Sequence, residues 1–552
     1  MHKNFLQKGL NFLLRQQTNI LSAAFIIMTT VIFSQLLGLV RQRLLVGIFG
    51  ASNTLGIYLA SARLPDFLFQ IIIAGALSSA FIPVFTDYIS RGKEDEGFTF
   101  ASTLLSVGLS VFFIISIVLF IFAEYFSHLI APGFSHSQIT LMASLMRIIV
   151  FGELLFIIGS FLSAILQSYN HFFIPGIASA LYNLGMIIGI ITLYRFVGIY
   201  SAAYGVVIGA LIFVAMQFPL VIKMGFKFHP SRLLNTSGMK EVFHLMWPRT
   251  ISLAIFQLGT LVTVTLISFL ISPGRKYVIF DYAQTLAFAP VVLFGQTIAQ
   301  AAFPVLSRER NNIANFKTTF MTSFFQMFYL VLPFSALFIV LRIPVVRLIY
   351  GASQFDWQAT VLTGNTLAYF SVALFAQALV YLVSRGFYAL HDTFTPLIVG
   401  AITTTIMVVI GFITIFSLHA DVGGIAIAYS IANALNFFIL FIILDRKVGG
   451  FDKTELISSS TKIIVATLFT GFALYIPIKL LDRLVFDTTR TINLLMLTGI
   501  SSLAGLSLYL FLTWLFDVKE ANTFILLFKK LGNWREILSR SDEVIDAPKL
   551  SQ

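Results

Sequence analysis

Hydroxyl groups, a glycine and a cation recur at helical spacing near the start of this 552-residue chain. Thr30, Ser34, Gly38 and Arg41 follow one another at intervals of three or four residues, which place side chains on one face of a helix. A polar group in hydrocarbon is costly unless protein or water surrounds it. The stripe therefore predicts either a helix-packing seam of small residues or a ligand path ending at Arg41. A third interpretation is that Arg41 snorkels to lipid phosphates at the end of its span.

A second group of charged side chains surrounds Pro65. Arg63, Asp66 and Gln70 share a helical face, and the missing N–H of Pro65 predicts a kink among them. Arg63 and Asp66 have the spacing at which opposite charges on a helix neutralise each other. Two interpretations stay open, a structural ion pair and contact with a charged substrate.

Carboxyl, amide and hydroxyl groups line the faces of three later apolar stretches. They are Glu153, Ser160 and Gln167; Gln377, Tyr381 and Ser384; and Gln296 and Gln300, with Gln284 and Thr285 nearer the other end of the last stretch. We expect these groups to point toward protein or water rather than toward lipid.

Catalytic motifs are absent from the sequence. It has no cysteine, its eight histidines are scattered without metal-ligand spacing, and neither a phosphate-binding loop nor a nucleophile elbow occurs. The acidic run Glu94–Glu96 lies beside Arg91 and Lys93, as in a solvated turn. We therefore predict a protein that is not an enzyme and that has neither a cofactor nor a metal site.

The composition is that of a polytopic membrane protein. Hydrophobic residues make up 58% and charged residues 11% of the chain, against about 45–50% and about 25% in soluble proteins. Runs of about 20 apolar residues, enough to cross about 30 Å of hydrocarbon, predict fourteen helical spans. They lie near residues 20–48, 56–88, 99–126, 140–168, 175–196, 200–222, 241–271, 277–305, 317–345, 358–389, 395–417, 423–445, 458–481 and 490–517.

The net charge of +12 is spread over short connections and tails, which argues against a nucleic-acid partner. An even number of spans places both termini on one side of the membrane. Counted over connections, span ends and tails, that side has 23 Lys and Arg residues and the opposite side has 10. The positive-inside rule then predicts cytoplasmic termini.

The sequence repeats itself at an offset of 221 residues. The matching pairs are Pro83 and Pro304, Phe134 and Phe355, and Pro175 and Pro396, while Tyr204 and Tyr429 match at an offset of 225. This pattern predicts two homologous six-helix lobes of the same topology, followed by two further helices, an architecture typical of transporters.

The predicted organisation of the chain follows from the repeat. It comprises an N-lobe at 1–222, a cytoplasmic linker at 223–240, a C-lobe at 241–445, the last two spans at 446–517, and an amphipathic helix with a tail at 518–552.

Several runs resemble the MurJ/MviN-type lipid II flippase family of the MOP superfamily. FSQLLGLVRQRLLVGIFGAS and YLASARLPDFLFQIIIAGALSSAFIPVF are similar to its first two spans. Further similar runs are LIAPGF, FFIPGIASALYNLGMI, FAPVVLFGQTIAQAAFPVLS, YGASQFD and RGFYALHDTFTP. They cover nearly the whole chain in the order that the family has.

The resemblance implies a transporter in the bacterial cytoplasmic membrane, with two lobes, a V-shaped central cavity and a groove for the lipid tail in the last two spans. It implies that a lipid-linked peptidoglycan precursor moves from the inner to the outer leaflet by alternating access. The implied partners are a lipid-linked saccharide pyrophosphate and membrane lipids. Arg41 matches a cavity arginine of the family, and Arg63 matches a basic position beside its Leu-Pro.

The predicted substrate-binding residues are Arg41, Arg63, Ser34, Gln35, Gln284 and Gln300. Other positions depart from the charged residues of the family. Gln35, Gly56, Phe69 and Ala74 replace Arg, Asp, Arg and Glu, and Gln284, Thr285 and Phe288 replace Asp, Arg and Glu.

Three hypotheses follow. The first is a lipid II flippase. The second is a flippase for another lipid-linked oligosaccharide or a MATE-like exporter of amphiphiles, which the aromatic Phe69 and Phe288 would suit. The third is a membrane scaffold that transports nothing. The sequence assigns no driving ion.

Overall fold

A computed structural model of the chain describes residues 20–71, 81–229, 237–351, 354–484 and 490–521. Within these ranges the regular elements are helices, and no strand occurs. Most of the predicted amphipathic helix and tail, part of the predicted linker, and Ala74 lie outside the described residues.

Nine helices precede residue 269 in the described part of the chain. They are α1 (Ile20–Phe49), α2 (Asn53–Phe69), α3 (Ile82–Ser90), α4 (Glu94–Ile121), α5 (Ala123–Ile130), α6 (His136–Ser168), α7 (Phe173–Val197), α8 (Tyr200–Lys223) and α9 (Ser237–Ser268).

Ten helices and a π-helical segment follow in the described residues. They are α10 (Pro273–Pro290), the π-helical Val291–Gln296, α11 (Thr297–Glu309), α12 (Ile313–Val340), α13 (Arg342–Tyr350), α14 (Trp357–Ser371), α15 (Leu374–Ala389), α16 (Phe394–Phe416), α17 (Val422–Lys447), α18 (Lys453–Leu484) and α19 (Thr491–Leu515).

Most of these helices are long and apolar enough to span a membrane. Eleven helical stretches of the described residues meet that condition, and α14 with α15 makes a twelfth that is bent by 45°. The predicted second and seventh spans fall on α2 with α3 and on α9. The sequence predicted an unbroken helix at 358–389, whereas the structure interrupts it at Val372 and Ala373. Helices satisfy their own backbone hydrogen bonds, as hydrocarbon requires.

The described residues form two compact units, one ending at Thr265 and the other beginning at Leu266. We call them the first and second units. The division falls inside α9, and the predicted lobe and linker boundaries remain predictions.

Helix bounds confirm the internal repeat. α6 covers His136–Ser168, and the counterpart positions 221 residues later, 357–389, hold α14 and α15. α7 begins at Phe173 and α16 at its counterpart Phe394. Gln70 and Ile71 are π-helical, and the counterpart of Gln70 begins the later π-helical segment. The two units therefore share one helical frame, that is, helices in the same order with matching bounds at this offset.

Glycines set the closest helix packing in the first unit. A Cβ atom built on Gly185 of α7 would lie 2.6 Å from the Gly209 Cα of α8, and one on Gly189 would lie 2.6 Å from the Gly205 Cα. The paired numbers run in opposite directions, so α7 and α8 are antiparallel. Small residues at such a seam allow two backbones to approach closely.

Aromatic rings fill much of the core of each unit. In the first unit the Phe81 ring centroid lies 5.3 Å from that of Phe161 and 5.1 Å from that of Phe85. In the second unit Phe324 of α12 lies 6.3 Å from Phe437 of α17. These separations are typical of packed aromatic pairs.

Candidate functional site

The polar stripe of α1 packs against α7. A Cβ atom on Gly176 would lie 2.2 Å from the Thr30 Oγ1, so only glycine fits there without a shift. Further along the same helices, Asn183 Nδ2 donates to the Ser34 Oγ at 3.2 Å. The contacts advance in the same direction on both helices, so α1 and α7 are parallel, as the predicted first and fifth spans require. The stripe is a helix-packing seam, and Ser34 is held within it.

Arg41 ends this seam with unused hydrogen-bonding capacity. It is half-buried, and its Nη1 donates to the Met186 Sδ of α7 at 2.9 Å. A thioether sulfur is a weak acceptor. The Arg41 Nε is buried and has no hydrogen-bond partner among the described residues. The guanidinium is therefore positioned by α7, and the hydrogen-bonding capacity of its Nε is unused.

A pair of carboxyl groups joins α2 to α6. Glu153 of α6 is only 6% exposed, and its side chain is hydrogen-bonded to Asp66. A hydrogen bond between two carboxyl groups needs a proton on one of them. Arg63 lies half-buried on α2, one turn before Asp66, and α2 continues through Pro65. Helical spacing suggested Arg63 as the partner of Asp66 but gave no sign of Glu153, which is distant in sequence.

Five side chains of the first unit form one polar cluster. Tyr58 interacts electrostatically with Arg41 and Asp66, and Tyr182 interacts with these groups and with Glu153. Helices α1, α2, α6 and α7 each contribute to this cluster of one cation, two carboxyl groups and two phenols. We call it the polar cluster. It contains donors for an anionic ligand and a carboxyl pair that can take up or release a proton.

The predicted amides of the second unit do not form one site. Gln284 is half-buried on α10, and Gln300 is exposed on α11 beyond the π-helical segment. At 1.5 Å per residue the two amides lie roughly 24 Å apart along the span. Gln296 is hydrogen-bonded to Tyr381, and Gln377 Nε2 donates to the Tyr429 hydroxyl at 3.4 Å. The last two amides point into the protein, as predicted.

Ionic contacts of the second unit lie at helix starts. Asp356 precedes α14, and its Oδ1 accepts from the Ala359 N–H at 2.7 Å. The hydrogen bond from Arg275 and the Ala359 N–H hold the pKa of Asp356 below its ordinary value of 3.8. Among the described residues, no three His, Asp or Glu side chains are grouped so as to hold a metal ion.

The comparison with known proteins identifies the family. A sequence profile described as "Lipid II flippase MurJ" matches residues 45–494. The chain belongs to this family. It is 28% identical over 499 residues to a probable lipid II flippase MurJ of Buchnera aphidicola subsp. Schizaphis graminum, covering 88% of this chain and 96% of that protein. It is 27% identical over 426 residues to the probable lipid II flippase MurJ of Thermotoga maritima, covering 76% of this chain and 84% of that one.

Solved structures share the fold. The lipid II flippase MurJ in an inward closed conformation matches with a TM-score of 0.74 at 23% identity, covering 89% of this chain and 98% of that one. An inward-facing MATE multidrug resistance transporter of the MOP superfamily matches with a TM-score of 0.64 at 15% identity, covering 77% of this chain and 98% of that one. The chain is therefore a multi-pass membrane protein with the fold of MurJ and of MATE transporters.

Two positions at which this member of the MurJ family departs from the expected charges hold packed aromatic rings. The Phe69 centroid lies 5.3 Å from that of Phe156, within the first unit. The Phe288 centroid lies 5.7 Å from Tyr429 and 6.3 Å from Phe370, within the second unit. These rings fill the core of their own units. Gln35, a third such position, is exposed on α1.

Proposed function

We propose that this protein moves lipid II from the inner to the outer leaflet of the bacterial cytoplasmic membrane by alternating access. The observation that carries the proposal is the family match over residues 45–494, which includes most of both units. The alignment with the Buchnera aphidicola relative, which carries this name, covers 96% of that protein. The family description is that of a transporter, which agrees with the absence of catalytic motifs from the sequence.

The polar cluster supports the proposal chemically. A charged headgroup cannot cross hydrocarbon unaided, because burying an unpaired charge costs many kcal/mol. Arg41 combines a fixed position against Met186 with an unpartnered buried Nε. A guanidinium in this state suits a pyrophosphate, whose oxygens accept charge-assisted hydrogen bonds. We assign Arg41 the pyrophosphate contact in the first unit and Arg63 a supporting positive charge.

The proposed orientation places both termini in the cytoplasm. It is supported by the excess of Lys and Arg on that side of the predicted spans, 23 against 10. The headgroup would then meet the protein from the side on which α11, α15 and α17 end.

Complementation tests the proposal. The native lipid II flippase of a bacterium is depleted while this chain is expressed as wild type, Arg41→Ala, Arg41→Lys or Arg43→Ala. Arg43 is the matched control, since it is exposed and two residues away. Wild type and Arg43→Ala should restore growth, whereas Arg41→Ala should restore it less well, because the substrate loses a charge-assisted hydrogen bond.

Membrane abundance of each variant is measured in the same cells. Rescue by Arg41→Ala equal to that by wild type would refute the assigned contact. A well-inserted wild type that does not rescue, while it protects cells against amphiphilic cations, would favour the exporter.

A further inference from the structure

One cation of the second unit lies between aromatic rings instead of beside an acid. Arg385 is half-buried near the C-terminal end of α15. Its Cζ lies 5.2 Å from the ring centroid of Phe303 on α11 and 5.9 Å from that of Tyr388, one turn further along α15. Both distances fall within the range of about 6 Å for cation–π contacts. Contacts with ring faces position a guanidinium but leave its N–H groups unused.

Three cations near the ends of α11, α12 and α17 have polar partners. Lys447 pairs with Asp392, Arg310 contacts His391, and Lys317 donates to the Gly449 carbonyl at 3.2 Å. Within the described ranges, Arg385 has no hydrogen-bond or ion-pair partner among protein groups. Of these four cations, Arg385 is therefore the one whose N–H groups have no polar acceptor.

The chemistry of the unused N–H groups defines the ligand. A half-buried guanidinium has lost part of its hydration and gains most from an anion that accepts two parallel hydrogen bonds. Phosphate oxygens have this geometry, and lipid phosphates lie at the membrane surface where spans end. A diphosphate offers more acceptor oxygens and more negative charge than the single phosphodiester of a phospholipid. The fork of Arg385 should therefore prefer a diphosphate.

We propose that Arg385 binds the diphosphate of the lipid-linked substrate, with Phe303 and Tyr388 as the residues that position its guanidinium. This inference rests on the proposed function and adds a binding residue in the second unit. The Arg310–His391 contact lies just past the ends of α11 and α15, seven residues after Phe303. The site thus lies about two helical turns before that contact.

Binding measurements on the purified full-length chain test the assignment. A polyprenyl diphosphate is titrated into the protein in an uncharged detergent, and the dissociation constant is measured by native mass spectrometry. We expect Arg385→Ala to weaken binding by about tenfold or more, since a charge-assisted hydrogen-bonded contact is lost. Arg385→Lys keeps the positive charge but lacks the two parallel N–H donors. Its dissociation constant should lie between those of wild type and Arg385→Ala. Arg308→Ala, an exposed cation on α11, should change affinity by less than about twofold.

A second titration with phosphatidylglycerol separates the two sources of phosphate. A loss confined to the diphosphate supports the proposal, and an equal loss for both lipids would refute it in favour of a general phospholipid site. Phe303→Leu should give an intermediate loss of diphosphate affinity at an unchanged unfolding temperature, which also tests the site without removing the cation. Unchanged diphosphate binding in folded Arg385→Ala would overturn this inference but would leave the proposed function untouched. A wild type that does not bind the diphosphate would instead count against the proposed function.

Discussion

The same span of the repeat is built differently in the two units. In the first unit α6 is one unbroken helix from His136 to Ser168. In the second unit the counterpart is split into α14 and α15, which meet at a 45° bend. Bend residues Val372 and Ala373 correspond to Phe151 and Gly152 in the continuous helix. One helical frame therefore accommodates both a straight and a broken span.

A single hydroxyl group distinguishes the broken span at the bend. The Ser371 Oγ donates to the Leu367 carbonyl of the preceding turn at 2.6 Å, a contact that often bends helices. Its counterpart in α6 is Val150, which cannot make this bond. No proline or glycine lies at the bend, which leaves the Ser371 contact as the cause to test. Ser160 makes the same contact within the unbroken α6, so the bond alone is not sufficient for a break.

The two units also differ in where their charges lie. The polar cluster lies on helices of the first unit. Its three charged or carboxyl residues, and Arg63 near them on α2, have uncharged counterparts 221 residues later. These pairs are Arg41 and Val262, Arg63 and Gln284, Asp66 and Ala287, and Glu153 and Leu374. In the second unit Arg385 lies near a helix end, and its counterpart is Ala164. The repeat preserves the frame, while each copy carries its own chemical groups.

The largest effect should come from filling the glycine seam of the first unit. Gly185→Leu would drive a side chain into the Gly209 backbone, and overpacking of this kind costs about 1–3 kcal/mol or more. The counterpart position already holds Ile406, so the second unit should not need this close approach. Size-exclusion chromatography and thermal unfolding measure the outcome. Gly400→Leu, which faces open space, is the control, and equal stability of both variants would contradict the seam.

The carboxyl pair should give the next largest effect. Glu153→Ala removes the hydrogen-bond partner of Asp66 and should lower the free energy of unfolding by about 1–3 kcal/mol. Glu153→Gln keeps a donor for Asp66 and should stay close to wild type. Chemical denaturation of the purified protein compares the two variants. If alanine and glutamine cost the same, the Asp66 contact contributes nothing to stability.

Straightening the broken span is the third test. Ser371→Val removes the hydroxyl bond and installs the residue that α6 has at this position. With cysteines introduced at Leu362 and Ser384 for spin labels, the distance between the labels should increase by roughly 2 Å, from two arms of 1.5 Å per residue. The chain has no native cysteine, so both labels are site-specific. An unchanged distance would place the cause of the bend elsewhere.

The smallest effect concerns the caps of the two spans. Asp356 begins α14, whereas its counterpart Ser135 begins α6 with a neutral capping box. Because the folded pKa of Asp356 lies below 3.8, its stabilisation is present above that pH and is lost as the pH falls through the folded pKa. The ion pair of Asp356 with Arg275 is partly exposed, so its contribution to the free energy of unfolding should stay below about 1 kcal/mol.

Unfolding temperatures of wild type and Asp356→Ser at pH 7 and pH 3 measure this contribution. The serine variant, which copies the cap of α6, should respond less to acid. An identical acid response in both proteins would show that the Asp356 cap is not the titrating group.

Sequence patterns predicted the helical frame well, because hydrocarbon forces a long apolar run into a helix. The repeat was visible for a related reason, since Pro175 and Pro396 mark equivalent helix starts. By contrast, the break at Val372 and the π-helical segment depend on local hydrogen bonding that hydrophobic periodicity does not report. Predicted span ends were accordingly accurate to a few residues, and the bend was missed.

The candidate site was harder to predict than the frame. The stripe ending at Arg41 was recognised, and in the structure it packs against α7. The Asp66–Glu153 pair was missed, because it depends on how α2 packs against α6. Arg385 was missed for the same reason, since its aromatic neighbour Phe303 belongs to another helix. Spacing along one helix does not report contacts between helices.

Because helix bounds recur at a single offset, the chain contains its own record of tolerated substitutions. Leu374 demonstrates that the duplicated framework accepts an aliphatic residue where the other copy has Glu153, and Val262 does the same for Arg41. In that copy the counterpart of Asp66 is Ala287, so both members of the carboxyl pair are replaced together. A double variant, Asp66→Ala with Glu153→Leu, copies that arrangement and leaves no unpaired carboxyl group, so it isolates what the pair contributes to transport.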